Sequence, residues 1–191
     1  MVFWVGIAEG KLMFIPRKPT PLGFMLKTLV DTVSGVLLNA EIVEGVEKDT
    51  NKEFNGVWGK STGCTLRLCR PWHGKARVII ADSWFGSYKT AVALLKHGCF
   101  VVANVKTGHK HFPKNKLKGI VKKRGDTHHM KVIVPGMENT QANEIYASIH
   151  QDSQPMVLVH TSGLSTPGPS RLRNWAKYKK GKIIKKKYVL E

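Results

Sequence analysis

At 191 residues with 42% apolar content, the chain fits one domain with an ordinary core and is too apolar for global disorder. Its 31 Lys and Arg against 13 Asp and Glu give a net charge of +18, more than solubility requires, so the expected partner is a polyanion. No stretch approaches the roughly 20 apolar residues that span a bilayer, and the start lacks the pattern of a signal peptide, so a soluble intracellular protein with no membrane partner is expected.

Residues 1–12 hold a short apolar run, Phe3, Trp4, Val5 and Ile7, of strand-forming type. Pro16, Pro19 and Pro21 then mark residues 15–22 as a connection. Residues 24–30 and 36–43 are strand-like and joined by Asp31-Thr32-Val33-Ser34-Gly35, which predicts a β-hairpin. Residues 44–59 are polar and comparatively acidic, and a surface loop is expected there. Gly59-Lys60-Ser61 looks like the end of a phosphate-binding loop. The glycine that motif needs five residues earlier is Phe54, however, and no strand leads in, so the backbone nest for phosphates is missing. Residues 62–68 are expected to be helical and to stop before Pro71.

Residues 77–113 organise the rest. Val78, Ile79, Ile80 and Ala81 form an apolar, β-branched run typical of a strand buried on both faces, and it ends in the carboxylate Asp82. Ser87 or a neighbour can cap a helix carrying Val92, Leu95 and Lys96 at helical spacing, with Gly98 as its stop. Residues 100–105 give a second buried strand, so a right-handed crossover would put Asp82 at the carboxyl edge of a sheet, where α/β proteins place their chemistry. An acid in that place is more often a helix cap or turn residue than a catalyst.

Residues 106–131 are strongly basic, including Lys106, Lys110, Lys114, Lys116, Lys118, Lys122 and Lys123, and are expected to form either a solvated loop or a phosphate-contacting arm. His109, His111, His128 and His129 lack carboxylate or cysteine companions at ligand spacing, which argues against a metal. Residues 130–134, 144–149 and 156–160 are three strand-like runs expected to form a small antiparallel addition. A linker follows, then a basic tail with Arg171, Arg173, Lys179, Lys180, Lys185, Lys186 and Lys187 interleaved with Trp175 and Tyr178, suited to nucleic-acid contact or to nuclear targeting. Cys64, Cys69 and Cys99 are odd in number and form no Cys-x-x-Cys pair, so neither a disulfide framework nor a structural zinc site is expected.

The segment Asp82-Ser83-Trp84-Phe85-Gly86-Ser87 resembles the Asp-Asn-aromatic-Phe-Thr-Ser segment of the piggyBac transposase family, with Ser83 for its asparagine and Gly86 for its threonine. Ile15-Pro16-Arg17-Lys18-Pro19 with Gly23 is similar to the family's Tyr-Ile-Pro-x-Lys-Pro segment and following glycine, and Ala103-Asn104-Val105-Lys106 with Pro113 is similar to its Gly-Thr-Val-Arg segment and later proline. The lysine usual two residues after that glycine is Met25. The match is good over residues 15–113 and weak afterwards.

The resemblance implies an α/β fold, a ribonuclease-H-like mixed sheet with flanking helices and a small β-rich addition near residues 128–161. The core would occupy residues 1–161 and a linker with basic tail residues 162–191. Such enzymes hold two magnesium ions with three aspartates. Asp82 corresponds to the second, a metal ligand and catalytic residue. The resemblance would put the first aspartate just before Met1 and the third after Glu191, so this chain is expected to bind DNA, to hold no magnesium stably and not to cleave. A small-molecule substrate is not expected, self-association is left open, and a nuclear location is implied. The alternatives are a basic ribosomal or chromatin-associated protein, and a metal-dependent nuclease completed by another subunit.

Overall fold

The computed structural model describes residues 12–16, 18–106, 112–137 and 143–162 in full and the backbone of Arg171–Lys179 and Lys182–Leu190. The apolar run at residues 3–7 lies outside these. Strand β1 (Met13–Phe14) pairs antiparallel with β2 (Leu22–Gly23), and β3 (Leu26–Val30) pairs antiparallel with β4 (Leu37–Ile42) across the predicted hairpin turn. In that turn the Asp31 carboxylate accepts from the Ser34 hydroxyl at 2.6 Å and the Ser34 N–H at 2.7 Å, a local bond typical of aspartate in turns.

The expected loop at residues 44–59 instead contains two short helices, α1 (Val46–Thr50) and α2 (Asn55–Trp58). Helix α1 buries no residue and α2 sets only the half-buried Trp58 against the core, so both are too short and too polar to leave a periodic trace in the sequence, and polar bonds help to hold them. Lys52 pairs with Asp49 at 2.7 Å, and Asn55 Nδ2 donates to the Asp49 carbonyl. Helix α3 (Lys60–Cys69) starts at Gly59, and Arg67 on it makes a two-pronged pair with Glu41 of β4, Nε to Oε2 at 2.8 Å and Nη2 to Oε1 at 2.7 Å. That pair ties the hairpin to the helix.

Strand β5 (Val78–Ala81) leads through Asp82 to α4 (Tyr88–Lys96), whose N-cap Ser87 accepts from the Thr90 N–H at 3.0 Å. The helix ends before Gly98, whose φ of +65° is easily adopted only without a β-carbon. Strand β6 (Phe100–Asn104) then pairs parallel with β5. Helix α5 (Lys114–Ile120), β7 (Thr127–Ile133), β8 (Glu144–Gln151) and β9 (Pro155–His160) follow. Basic residues 114–131 are therefore largely helix and strand, not one loop, because Leu117 and Val121 bury against Ala147, Ile149 and Val157.

Strand order in the five-stranded sheet is β5-β6-β9-β8-β7, with one parallel and three antiparallel pairings. The three late strands pair antiparallel with one another, as expected, and join the main sheet, since β9 pairs directly with β6. One face carries the core: Ile79, Val101, Ala103, Val159 and Ile145 pack with Ala91, Leu94 and Leu95 of α4 and Leu66 of α3. The opposite face is open at β5, where Val78 is 48% and Ile80 68% exposed, so this strand is buried on one face and not on two. The hairpin strands do not flank β5 as expected: β3 and β4 form their own two-stranded sheet. The basic C-terminal stretch forms a further hairpin, β10 (Arg171–Lys179) with β11 (Lys182–Leu190).

Candidate catalytic edge and nucleic-acid interface

Because β5 and β6 are parallel, their carboxyl ends meet at one edge, and Asp82 stands there, exposed. Its Oδ1 accepts from the Trp84 N–H at 2.8 Å, and its carbonyl accepts from the N–H groups of Phe85 and Gly86. Asp82 therefore shapes the turn into α4 with one oxygen, while Oδ2 has no hydrogen-bond partner among the described residues. The turn packs against β6 through Gly86, where a β-carbon would come within 1.9 Å of the Asn104 carbonyl oxygen. Lys106, two residues beyond Asn104, is exposed near this same edge.

A residue that the sequence did not single out completes the edge. Lys27 Nζ lies 3.7 Å from the Trp84 ring centroid and 5.6 Å from that of Phe85, a desolvating aromatic seat for a cation. Lys27 and Asp82 line one cleft of about 370 Å³ with Leu29, Ile79 and Ile80.

The predicted DNA-contacting residues divide. Lys116 is exposed like Lys106, but Lys114 is half-buried and donates to the Val105 carbonyl at 3.2 Å. Burial, and then the charge of Lys118, holds the Lys114 ammonium below its ordinary pKa, so it is first a tie between α5 and the end of β6. Lys110 and Lys180 lie outside the described residues. Arg171, Arg173 and Lys179 occupy β10, and Lys185, Lys186 and Lys187 occupy β11, with Trp175 opposite Lys186 in the register.

Other titratable groups are engaged elsewhere. Asp126 accepts from the N–H groups of Lys122 and Lys123, and Asp152 pairs with Arg124 at 2.7 Å. Ser148 Oγ sits 2.6 Å from both His129 Nδ1 and His160 Nε2, and His160 stacks on Tyr146. Gly59-Lys60-Ser61 is entered from a short helix, so the missing strand of a phosphate-binding loop is confirmed as missing.

A profile of the family described as Transposase IS4 matches residues 10–180, through the sheet and into the C-terminal hairpin. The chain belongs to the Transposase IS4 family. Its structure is similar to that of a piggyBac transposase, solved by cryo-EM as a synaptic complex with hairpin DNA, with a TM-score of 0.66 and 18% identity over 84% of this chain. At that identity the likeness establishes the fold, a ribonuclease-H-like mixed α/β sheet. The chain spans 31% of the length of that piggyBac chain. No curated protein matches it.

Within this Transposase IS4 domain, the divalent ions of the family's chemistry do not find a shell among the described residues. No three His, Cys, Asp or Glu side chains gather there, and magnesium asks for several oxygen ligands. Asp82 supplies one and has the cation Lys27 across the cleft. Among the described residues no helix is long and apolar enough to cross a membrane.

Proposed function

We propose that this chain is part of a transposase catalytic core that holds DNA at the carboxyl edge of its sheet, with Asp82 as the edge carboxylate, and that it does not cleave DNA by itself. The observation that carries this reading is the placement of Asp82: exposed at the end of β5, in a turn locked onto β6, with Lys27 beside it and Lys106 near the same edge. Lys116, the basic residues Arg171, Arg173, Lys179, Lys185, Lys186 and Lys187 of the C-terminal hairpin strands, and Lys180, which lies outside the described residues, supply further cations for phosphates. A nuclear location fits such a partner. One carboxylate cannot align an attacking oxygen and a leaving oxygen on two ions, so cleavage needs carboxylates that Asp82 does not have beside it.

The experiment is duplex binding followed by fluorescence anisotropy across a salt series, together with a nicking assay in magnesium and manganese. Affinity should fall steeply with salt, by roughly 0.9 in log K per log salt for each phosphate contact, and neutralising the basic residues of the hairpin should flatten the slope. No metal-dependent nicking is expected, and Asp82→Ala should behave as the parent. Nicking that disappears in Asp82→Ala, or an affinity indifferent to salt, overturns the proposal.

A further inference from the structure

The register of the C-terminal ribbon sorts its residues between two faces. β10 and β11 pair antiparallel over their full length, from Arg171 opposite Leu190 to Lys179 opposite Lys182. Residues alternate between the two faces of a strand, and directly paired residues share a face. The cations of β10, Arg171, Arg173, Lys177 and Lys179, all stand at odd positions, with Trp175 between them. The positions of β11 that pair with these bring Lys182, Lys186 and Tyr188 to the same face. The other face holds Leu172, Ala176, Tyr178, Ile183 and Val189, and the two strands place only Lys185 and Lys187 among them as cations. Solubility asks for charge but not for charge gathered on one face.

Shape and spacing name the partner. The major groove of B-DNA, about 12 Å wide, admits a two-stranded β-ribbon, whereas the minor groove, about 6 Å wide, takes one only when the duplex is deformed. Nine residues at about 3.3 Å each make a ribbon about 30 Å long, close to the roughly 34 Å of one duplex turn. Residues on one face of a strand recur about every 6.7 Å, roughly two base-pair rises, so the cations of β10 keep step with the phosphates of a groove wall. Trp175 and Tyr188, diagonal neighbours on that face, add apolar surface suited to thymine methyl groups.

We propose that the β10–β11 ribbon is a major-groove element: it lays the face of Arg171, Arg173, Lys177, Lys179, Lys182 and Lys186 into duplex DNA, while Lys185 and Lys187 on the other face add only diffuse attraction. It rests on the DNA-binding reading above, to which it adds a face and a groove.

The test compares two variants of the full chain that remove equal charge, Lys177→Gln with Lys186→Gln on the cationic face and Lys185→Gln with Lys187→Gln on the other. Anisotropy on a duplex across a salt series should show the slope of log K against log salt lowered by about 1.8 in the first, at roughly 0.9 per contact, and by less than half of that in the second. The parent chain, which needs no variant to fold, should be displaced from duplex by methyl green, a major-groove ligand, and not by netropsin, a minor-groove ligand. Equal slope losses in the two variants, displacement by netropsin alone, or tighter binding to a single strand of the same sequence overturns the ribbon assignment while leaving salt-dependent DNA binding in place. A parent affinity indifferent to salt overturns the DNA-binding reading itself, and the ribbon assignment with it.

Discussion

A β-carbon on Gly86 would stand 1.9 Å from the carbonyl oxygen of Asn104 and 3.1 Å from the Ala103 β-carbon. The turn holding Asp82 therefore sits directly on the backbone of β6. In the resembled segments, a threonine stands in place of Gly86 and a glycine in place of Ala103, so bulk and space are exchanged between the two positions. Gly86→Ala must push backbone against backbone. It should lower stability by about 2–4 kcal/mol, within the range of overpacked cores. Urea unfolding should show a lower midpoint with an unchanged m-value; an unchanged midpoint would mean that the turn does not rest on β6.

Glu41 and Arg67 are both largely shielded from water and meet through two charged hydrogen bonds. Partial burial pushes the Glu41 carboxyl up, but the Arg67 guanidinium and Lys52 outweigh it, so its pKa ends below the ordinary value. Arg67→Ala leaves the half-buried Glu41 carboxylate with Lys52, at 3.4 Å, as its remaining ion pair and removes the donor to Asn55 Oδ1. A loss of about 2 kcal/mol is expected by denaturant unfolding, below the 3–5 typical of fully buried pairs. Because the folded pKa of Glu41 is depressed, its contribution is complete above the unfolded value near 4.3 and should vanish as pH falls through the folded value. Glu41→Gln should blunt the acid limb.

Histidine titration acts at higher pH. Burial holds His160 below its ordinary pKa, only partly offset by the Ser162 carbonyl, and His129 adds to the lowering; His129 and His73 are likewise depressed, mainly by burial. An unfolded histidine near 6.5 binds protons more readily than these do when folded. Stability is therefore complete above about pH 6.5 and should fall as pH drops through the lower folded values. Thermal unfolding between pH 7.5 and 5 should show the decline, and His160→Gln should reduce its slope. A flat profile would contradict the buried Ser148 network.

The three cysteines are buried and free. Burial pushes the Cys69 thiol up to about 12 and the Cys64 thiol up to about 11, and it raises Cys99 as well. With so little thiolate at neutral pH, iodoacetamide should label none of them at a measurable rate until the chain unfolds. Rapid labelling of native protein at Cys69 would show that the helices α3 and α4 open locally.

The crossover from Val78 through Asp82 to Asn104 was legible in the chain because its signals are local: a β-branched run, a serine cap and a glycine stop. The hairpin around Asp31 was equally legible, since an Asp-x-x-Ser turn closes on itself. Helices α1 and α2 were not, because they are only five and four residues long and are held by the polar bonds of Lys52, Asn55 and Arg67, which leave no periodic signal. Lys27 was missed for a different reason: the Trp84 ring beneath it is 57 positions away, and only the fold brings them together.

What the sequence determined by itself is the set of local choices, since propensity, capping and turn chemistry depend on neighbours a few residues apart. From these came the strand before Asp82, the helix after it and the basic character that anticipates a polyanion. Only the tertiary structure decided which strand edges pair and which face stays open. Pairing depends on backbone groups that every residue shares, so nothing in Val78 or Ile80 announces that β5 lacks a ladder partner on one side among the described residues.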